Sequence, residues 1–211
     1  VLAASFSPDG SRVLTASNDG TARLWDASTG ASLLTLSGHT NLVRAASFSP
    51  DGRSLLTASW DGTARLWNAN TGASLLTLNG HIMGVLAASF SPDGSRVLTA
   101  SNDGTARLWD AKTGTSLLTL NGHTNRVLAA SFSPDGSRVL TASEDGTARL
   151  WNASTNVSLL TLNGHTKGVL AASFSPDGSR VLTASDDGTA RLWDAKTGAS
   201  LLTLNEHTQG V

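Results

Sequence analysis

The chain has 211 residues, 39% of them hydrophobic, with 15 basic against 16 acidic side chains and no cysteine. That apolar content suffices for one or two folded domains, while disulfides and thiolate metal sites are excluded. No run approaches the ~18 apolar residues of a membrane helix, and the opening V-L-A-A-S-F-S-P-D-G has neither a basic leader nor a long apolar stretch. A soluble, cytoplasmic chain is therefore the default reading, with the compartment left open.

Repetition is the strongest signal. Val1, Val43, Val85, Val127 and Val169 open units spanning 1–42, 43–84, 85–126, 127–168 and 169–210, and Val211 begins a sixth. The expectation is a single segment, 1–211, built from one recurring unit. In chain order, V-L-A-A-S-F predicts a first strand ending at the S-P-D-G turn. R-V-L-T-A-S predicts a second, ending at the D-G pair that favours a tight hairpin. T-A-R-L-W is a third, followed by a loop of the D-A-S-T-G kind, and S-L-L-T-L before G-H is a fourth. Strands of five or six residues joined by tight turns make a four-stranded antiparallel sheet. So small a sheet buries its faces only against neighbours, and identical sheets stacked at a constant rotation curve into an array or ring.

The repeated G-H pairs at Gly38-His39, Gly80-His81, Gly122-His123 and Gly164-His165 precede S-P-D-G and D-G-T, and W-D stands at Trp25-Asp26, Trp109-Asp110 and Trp193-Asp194. With these motifs and this period the whole chain resembles the WD-repeat β-propeller family. Trp67-Asn68, Trp151-Asn152 and Glu206-His207 depart mildly from the pattern. The resemblance implies an all-β propeller of four-stranded antiparallel blades, five in this chain.

It further implies a hydrogen-bonded relay joining the G-H histidine, the serine that ends the second strand, the turn aspartate and the third-strand tryptophan. The matching sets are His39, Ser59, Asp61 and Trp67; His81, Ser101, Asp103 and Trp109; His123, Ser143, Asp145 and Trp151; and His165, Ser185, Asp187 and Trp193. Buried carboxylates and indole N–H groups need partners, and a neutral imidazole both donates and accepts. The role expected is to pin a loop to the sheet.

Catalysis is not expected. A Ser-His-Asp hydrolase needs one activated serine in an open pocket with an oxyanion hole, whereas this set recurs without distinction. The histidines lie on separate blades with no metal-ligand spacing, and no glycine-rich phosphate loop is present, so neither metal nor cofactor is anticipated. Ten of the 16 acidic residues are turn aspartates and ten of the 15 basic ones are recurring framework arginines. The remaining charge nearly cancels and forms no basic stripe, so nucleic acid is not an expected partner.

What the resemblance implies instead is a non-catalytic platform for binding other proteins or peptides. The alternative, favoured by the near-identity of the units, is a purely structural amplified module or a fragment of a longer propeller. Differences between units gather on one end of the predicted blades, in the turn between second and third strands and in the connection to the next blade. The candidate binding face there comprises Leu42, Arg44, Trp60, Ile82, Met83, Asn102, Arg126, Glu144, Lys167 and Asp186. Trp60 stands out, since its sister positions hold Asn18, Asn102, Glu144 and Asp186. Either it packs flat on Ile82 and Met83, or it is neutral drift, or it anchors a partner.

The two ends complement each other: Ser17, Asp19 and Trp25 have no upstream histidine, and His207 has no downstream set. They are expected to meet head to tail. A family that more often builds seven blades, and a chain without an initiating methionine, favour an excised piece of a longer array or an oligomeric ring over a closed monomer.

Overall fold

The computed structural model describes residues 1–205, so Glu206, His207 and the proposed start of a sixth unit at Val211 lie outside the described residues. Among these residues twenty strands form five sheets. The first blade holds β1 Ala3–Phe6, β2 Arg12–Ala16, β3 Ala22–Asp26 and β4 Ser32–Leu36; the second β5 Val43–Phe48, β6 Ser54–Ser59, β7 Thr63–Asn68 and β8 Ser74–Asn79. The third comprises β9 Val85–Phe90, β10 Arg96–Ser101, β11 Ala106–Asp110 and β12 Ser116–Leu120. The fourth comprises β13 Val127–Phe132, β14 Arg138–Ser143, β15 Thr147–Asn152 and β16 Ser158–Asn163, and the fifth β17 Val169–Phe174, β18 Arg180–Ser185, β19 Ala190–Asp194 and β20 Ser200–Leu204. Each sheet is an antiparallel meander in sequence order, so the expected all-β propeller architecture of four-stranded blades is what the chain adopts.

Turn chemistry fixes the strand ends. In S-P-D-G the Ser7 hydroxyl donates to Asp9 Oδ1 at 2.6 Å, the same oxygen accepts the Ser11 N–H at 3.0 Å, and Gly10 takes φ +73°, a conformation costly for any residue with a Cβ. The first strands pack in series, β1 on β5, β5 on β9, β9 on β13 and β13 on β17. Equivalent Phe, Ser and Pro residues of all five blades line one cavity of about 630 Å³, so the blades surround a common axis.

No blade has a core of its own. Leu14, Ala16, Ala22, Leu24 and Leu36 of the first blade bury against Val43, Ala46, Leu55, Trp67 and Ala69 of the second, and the same grouping recurs at the next three junctions. The tryptophan of each later blade plugs the leucine face of the blade before it. Among the described residues two faces are left over. In the fifth blade Leu182 and Leu204, whose first-blade counterparts Leu14 and Leu36 are essentially inaccessible, are 42% and 51% exposed. At the other end Phe6 is 70% exposed and Trp25 is only half-buried.

Candidate functional site

Two constellations bear first on function, one between blades and one at the channel mouth. The first is built from a histidine that follows the outer strand of one blade and an aspartate in the hairpin turn of the next. His39 Nδ1 lies 2.8 Å from Asp61 Oδ2 and its Nε2 2.8 Å from Thr57 Oγ1, and the Trp67 indole N–H donates to that same hydroxyl at 2.8 Å. Only one tautomer satisfies the chain. The indole donates to the threonine, the threonine O–H donates to Nε2, and Nδ1–H donates to the carboxylate. Asp61 also accepts from Thr63 Oγ1 at 2.7 Å and from the Thr63 and Thr40 amides.

The arrangement recurs at His81–Asp103 (2.7 Å), His123–Asp145 (2.8 Å) and His165–Asp187 (2.9 Å), with Thr99, Thr141 and Thr183 as the bridging hydroxyls. The serines expected in this position are elsewhere. Ser59 Oγ donates to Asn41 O and accepts the Asp61 N–H, both at 3.1 Å, and Ser101, Ser143 and Ser185 do the equivalent with their own loops. Register explains the correction: Trp67 lies opposite Leu55, which places Thr57 diagonally beside the indole and Ser59 two residues farther along, out of reach.

Burial pushes His39 and His123 below the ordinary imidazole range despite the opposing pull of Asp61 and Asp145. Burial also works against ionising Asp61 and Asp145, but hydrogen bonds from Thr63 and His39, and from Thr147 and His123, outweigh it and hold both carboxylates below their usual range. The glycine of G-H lets this junction close without displacing its neighbours. A Cβ on Gly80 would sit 2.9 Å from Nη1 of Arg107 and 3.0 Å from the Trp109 ring.

The second constellation depends on β-bulges. Ladder register shifts between Val43 and Ala45, Val85 and Ala87, Val127 and Ala129, and Val169 and Ala171, leaving Arg44, Leu86, Leu128 and Leu170 as the extra residues. A bulge re-aims its side chain, and all four line a cavity of about 490 Å³ at the channel mouth together with Trp60 and Arg126. Of the candidate face residues, Arg44, Trp60 and Arg126 are thus brought together. Arg126 forks onto Glu144, Nε donating to Oε2 at 2.7 Å and Nη2 to Oε1. Leu42 O accepts the Trp60 N–H at 3.1 Å, and the Asn102 and Asp186 amides make the matching bonds to Gly84 and Gly168.

Ile82 and Met83 share the rim but are 88% and 53% exposed, so the indole does not shield Ile82; Trp60 is seated against Gly84, where a Cβ would lie 3.2 Å from its Cγ. Lys167 and Asp186 are exposed on the same end. The three leucines escaped the sequence reading because they are constant among units. The signal was present, however: only Arg44 breaks a column that is otherwise Leu2, Leu86, Leu128 and Leu170.

The family model described as "WD domain, G-beta repeat" matches residues 1–26, 30–68, 72–110, 114–152 and 156–194. The chain belongs to the WD-repeat family. WD repeats generally mediate protein–protein interaction and are generally non-catalytic. The human protein "WD repeat-containing protein 86" is similar to this chain, 54% identical over 39 residues, which is 18% of this chain and 10% of that protein. The chain thus matches about a tenth of that relative's length. No helix among the described residues is long and apolar enough to cross a membrane, and no group of three or more His, Cys, Asp or Glu there is placed to hold a metal.

Proposed function

We propose that this WD-repeat segment is a non-catalytic scaffold whose binding face is the channel mouth centred on Trp60. The observation that carries the reading is convergence: Trp60, Arg44 and Arg126, three of the few departures from the repeat, meet in one cavity walled by Leu86, Leu128 and Leu170. Trp and Arg are the types enriched at interface anchors. The test is selection of a displayed peptide library on the intact chain. Wild type is expected to enrich a common motif and Trp60→Asn to lose it, with thermal stability unchanged. A lost midpoint with retained motif makes Trp60 a packing residue and ends the reading.

A second, independent reading concerns the ends. The leucine face of the fifth blade and the Phe6–Trp25 face of the first are chemically the two halves of every interior junction. We propose that each is covered by a further repeat of the same sequence, supplied by a second copy of the chain, so that the His207 end meets the end carrying Ser17, Asp19 and Trp25, where the interior junctions give a histidine the threonine and aspartate equivalent to Thr15 and Asp19 as partners. Light scattering is expected to report an oligomer that Leu182→Glu dissociates. A compact monomer overturns it.

A further inference from the structure

At three of the four junctions an arginine locks one blade to the next. Arg12 donates through Nη1 to Ala69 O (2.9 Å) and through Nη2 to Gly52 O (3.0 Å). Arg96 does the same to Ala153 O (2.7 Å) and Gly136 O (2.8 Å), and Arg138 to Ala195 O (2.9 Å) and Gly178 O (2.7 Å). Each guanidinium also lies over a phenylalanine of the following blade, Phe48, Phe132 or Phe174, at 5.7, 5.3 and 5.2 Å. Two carbonyls and an aromatic face therefore define a guanidinium seat, built three times by the same sequence.

The junction between the second and third blades keeps the seat and lacks the arginine. Here the dipeptide order is reversed: Arg53-Ser54 stands where the other blades have Ser-Arg, and Arg53 is exposed. Phe90, Gly94 and Ala111 remain in place, and no side chain among the described residues donates to either carbonyl. Where a Cβ on Gly52, Gly136 or Gly178 would meet an Nη2 atom, one on Gly94 meets only Pro50. A cavity of about 500 Å³ lined by Ser54, Phe90, Gly94 and Ala111 opens at this point. Asp51, Asp93 and Asp110 border it against the one ammonium of Lys112, and Asp110 replaces the Asn68 and Asn152 of two sister junctions.

We infer that this cavity is a binding site for a monoalkylguanidinium group, the head of an arginine side chain. A planar fork with parallel donors fits two carbonyls and stacks on an aromatic ring, whereas an ammonium offers a point charge and no plane. The carboxylate border excludes anions. It is a site separate from the Trp60 mouth, which is formed by the other end of the blades.

The intact chain is titrated calorimetrically with methylguanidinium chloride, with methylammonium chloride as control, while carbonyl 13C shifts of Gly94 and Ala111 are followed. Methylguanidinium is expected to bind about tenfold or more tightly than methylammonium and to move those two carbonyls. The double variant Arg53→Ser/Ser54→Arg, which restores the sister arrangement, is expected to abolish binding and raise Tm; Phe90→Leu, which keeps the cavity, is expected to weaken binding in a folded chain. An arginine-containing peptide binding more tightly than free methylguanidinium identifies a partner's arginine as the source, and equal affinity identifies a small solute. Equal response to both cations, unmoved carbonyls, or binding that persists in the double variant overturns the site.

Discussion

The first and the third blades have nearly the same sequence and different physical circumstances. Trp109 is sealed between its own sheet and the leucines of the second blade, and its indole N–H feeds a four-group chain that ends on Asp103. Trp25 makes the same bond to Thr15 at 2.8 Å but stays half-buried, and its turn aspartate, Asp19, is exposed. In this architecture a residue's energetic weight is assigned by the neighbouring repeat rather than by its own.

The comparison is broken most forcefully by truncating the tryptophans. Trp109→Ala is expected to cost about 3–5 kcal/mol, the range for deleting a buried aromatic, and Trp25→Ala clearly less, as urea denaturation of the two variants will show. Equal losses would mean that the first blade's face is covered in solution. The relay offers a finer cut. Thr99→Val leaves both the His81 Nε2 and the Trp109 N–H without a partner and is expected to cost about 1–3 kcal/mol, whereas Thr15→Val releases only one group and should cost less. Imidazole 15N shifts of His81 should move in Thr99→Val and hold in Ser101→Ala, separating the bridging threonine from the loop serine.

Acid sharpens the contrast further. His39 and His123 are held below the usual imidazole value, so the unfolded chain binds their protons first and stability is lost as pH falls below about 6.5. The depressed carboxylates Asp61 and Asp145 add a second loss, beginning below their unfolded value near 3.8 and continuing as pH drops through their lowered folded values. Thermal midpoints measured from pH 7 downward should therefore decline in two stages, and His39→Gln should flatten the first. The smallest effect expected is at the rim: Arg126→Ala removes an exposed ion pair with Glu144 and should change stability by less than about 1 kcal/mol.

Period, strands and turns were legible in the sequence because the hydrophobic and turn signals are local and recur five times. The relay was legible down to its imidazole, carboxylate and indole but not its hydroxyl. Thr57 and Ser59 lie two apart on one face of β6, and only the cross-strand register tells which one reaches Trp67. The channel-mouth leucines depend on a bulge, which no periodicity announces. The reversal at Arg53-Ser54 is plain in the sequence, yet its meaning rests on a guanidinium crossing to the next blade, a contact 40 and 57 residues away.

The sharing of every hydrophobic cluster between consecutive blades also bears on how such a chain grows. The unit that duplicates and the unit that packs are out of phase by half a junction, so inserting one whole copy anywhere inserts one complete junction and alters none of the existing ones. Copy number is thereby freed from selection on packing at the existing junctions. A lineage can lengthen or shorten the array in single recombination steps, each intermediate as well packed internally as the last, while individual copies acquire a tryptophan or a transposed arginine on their own.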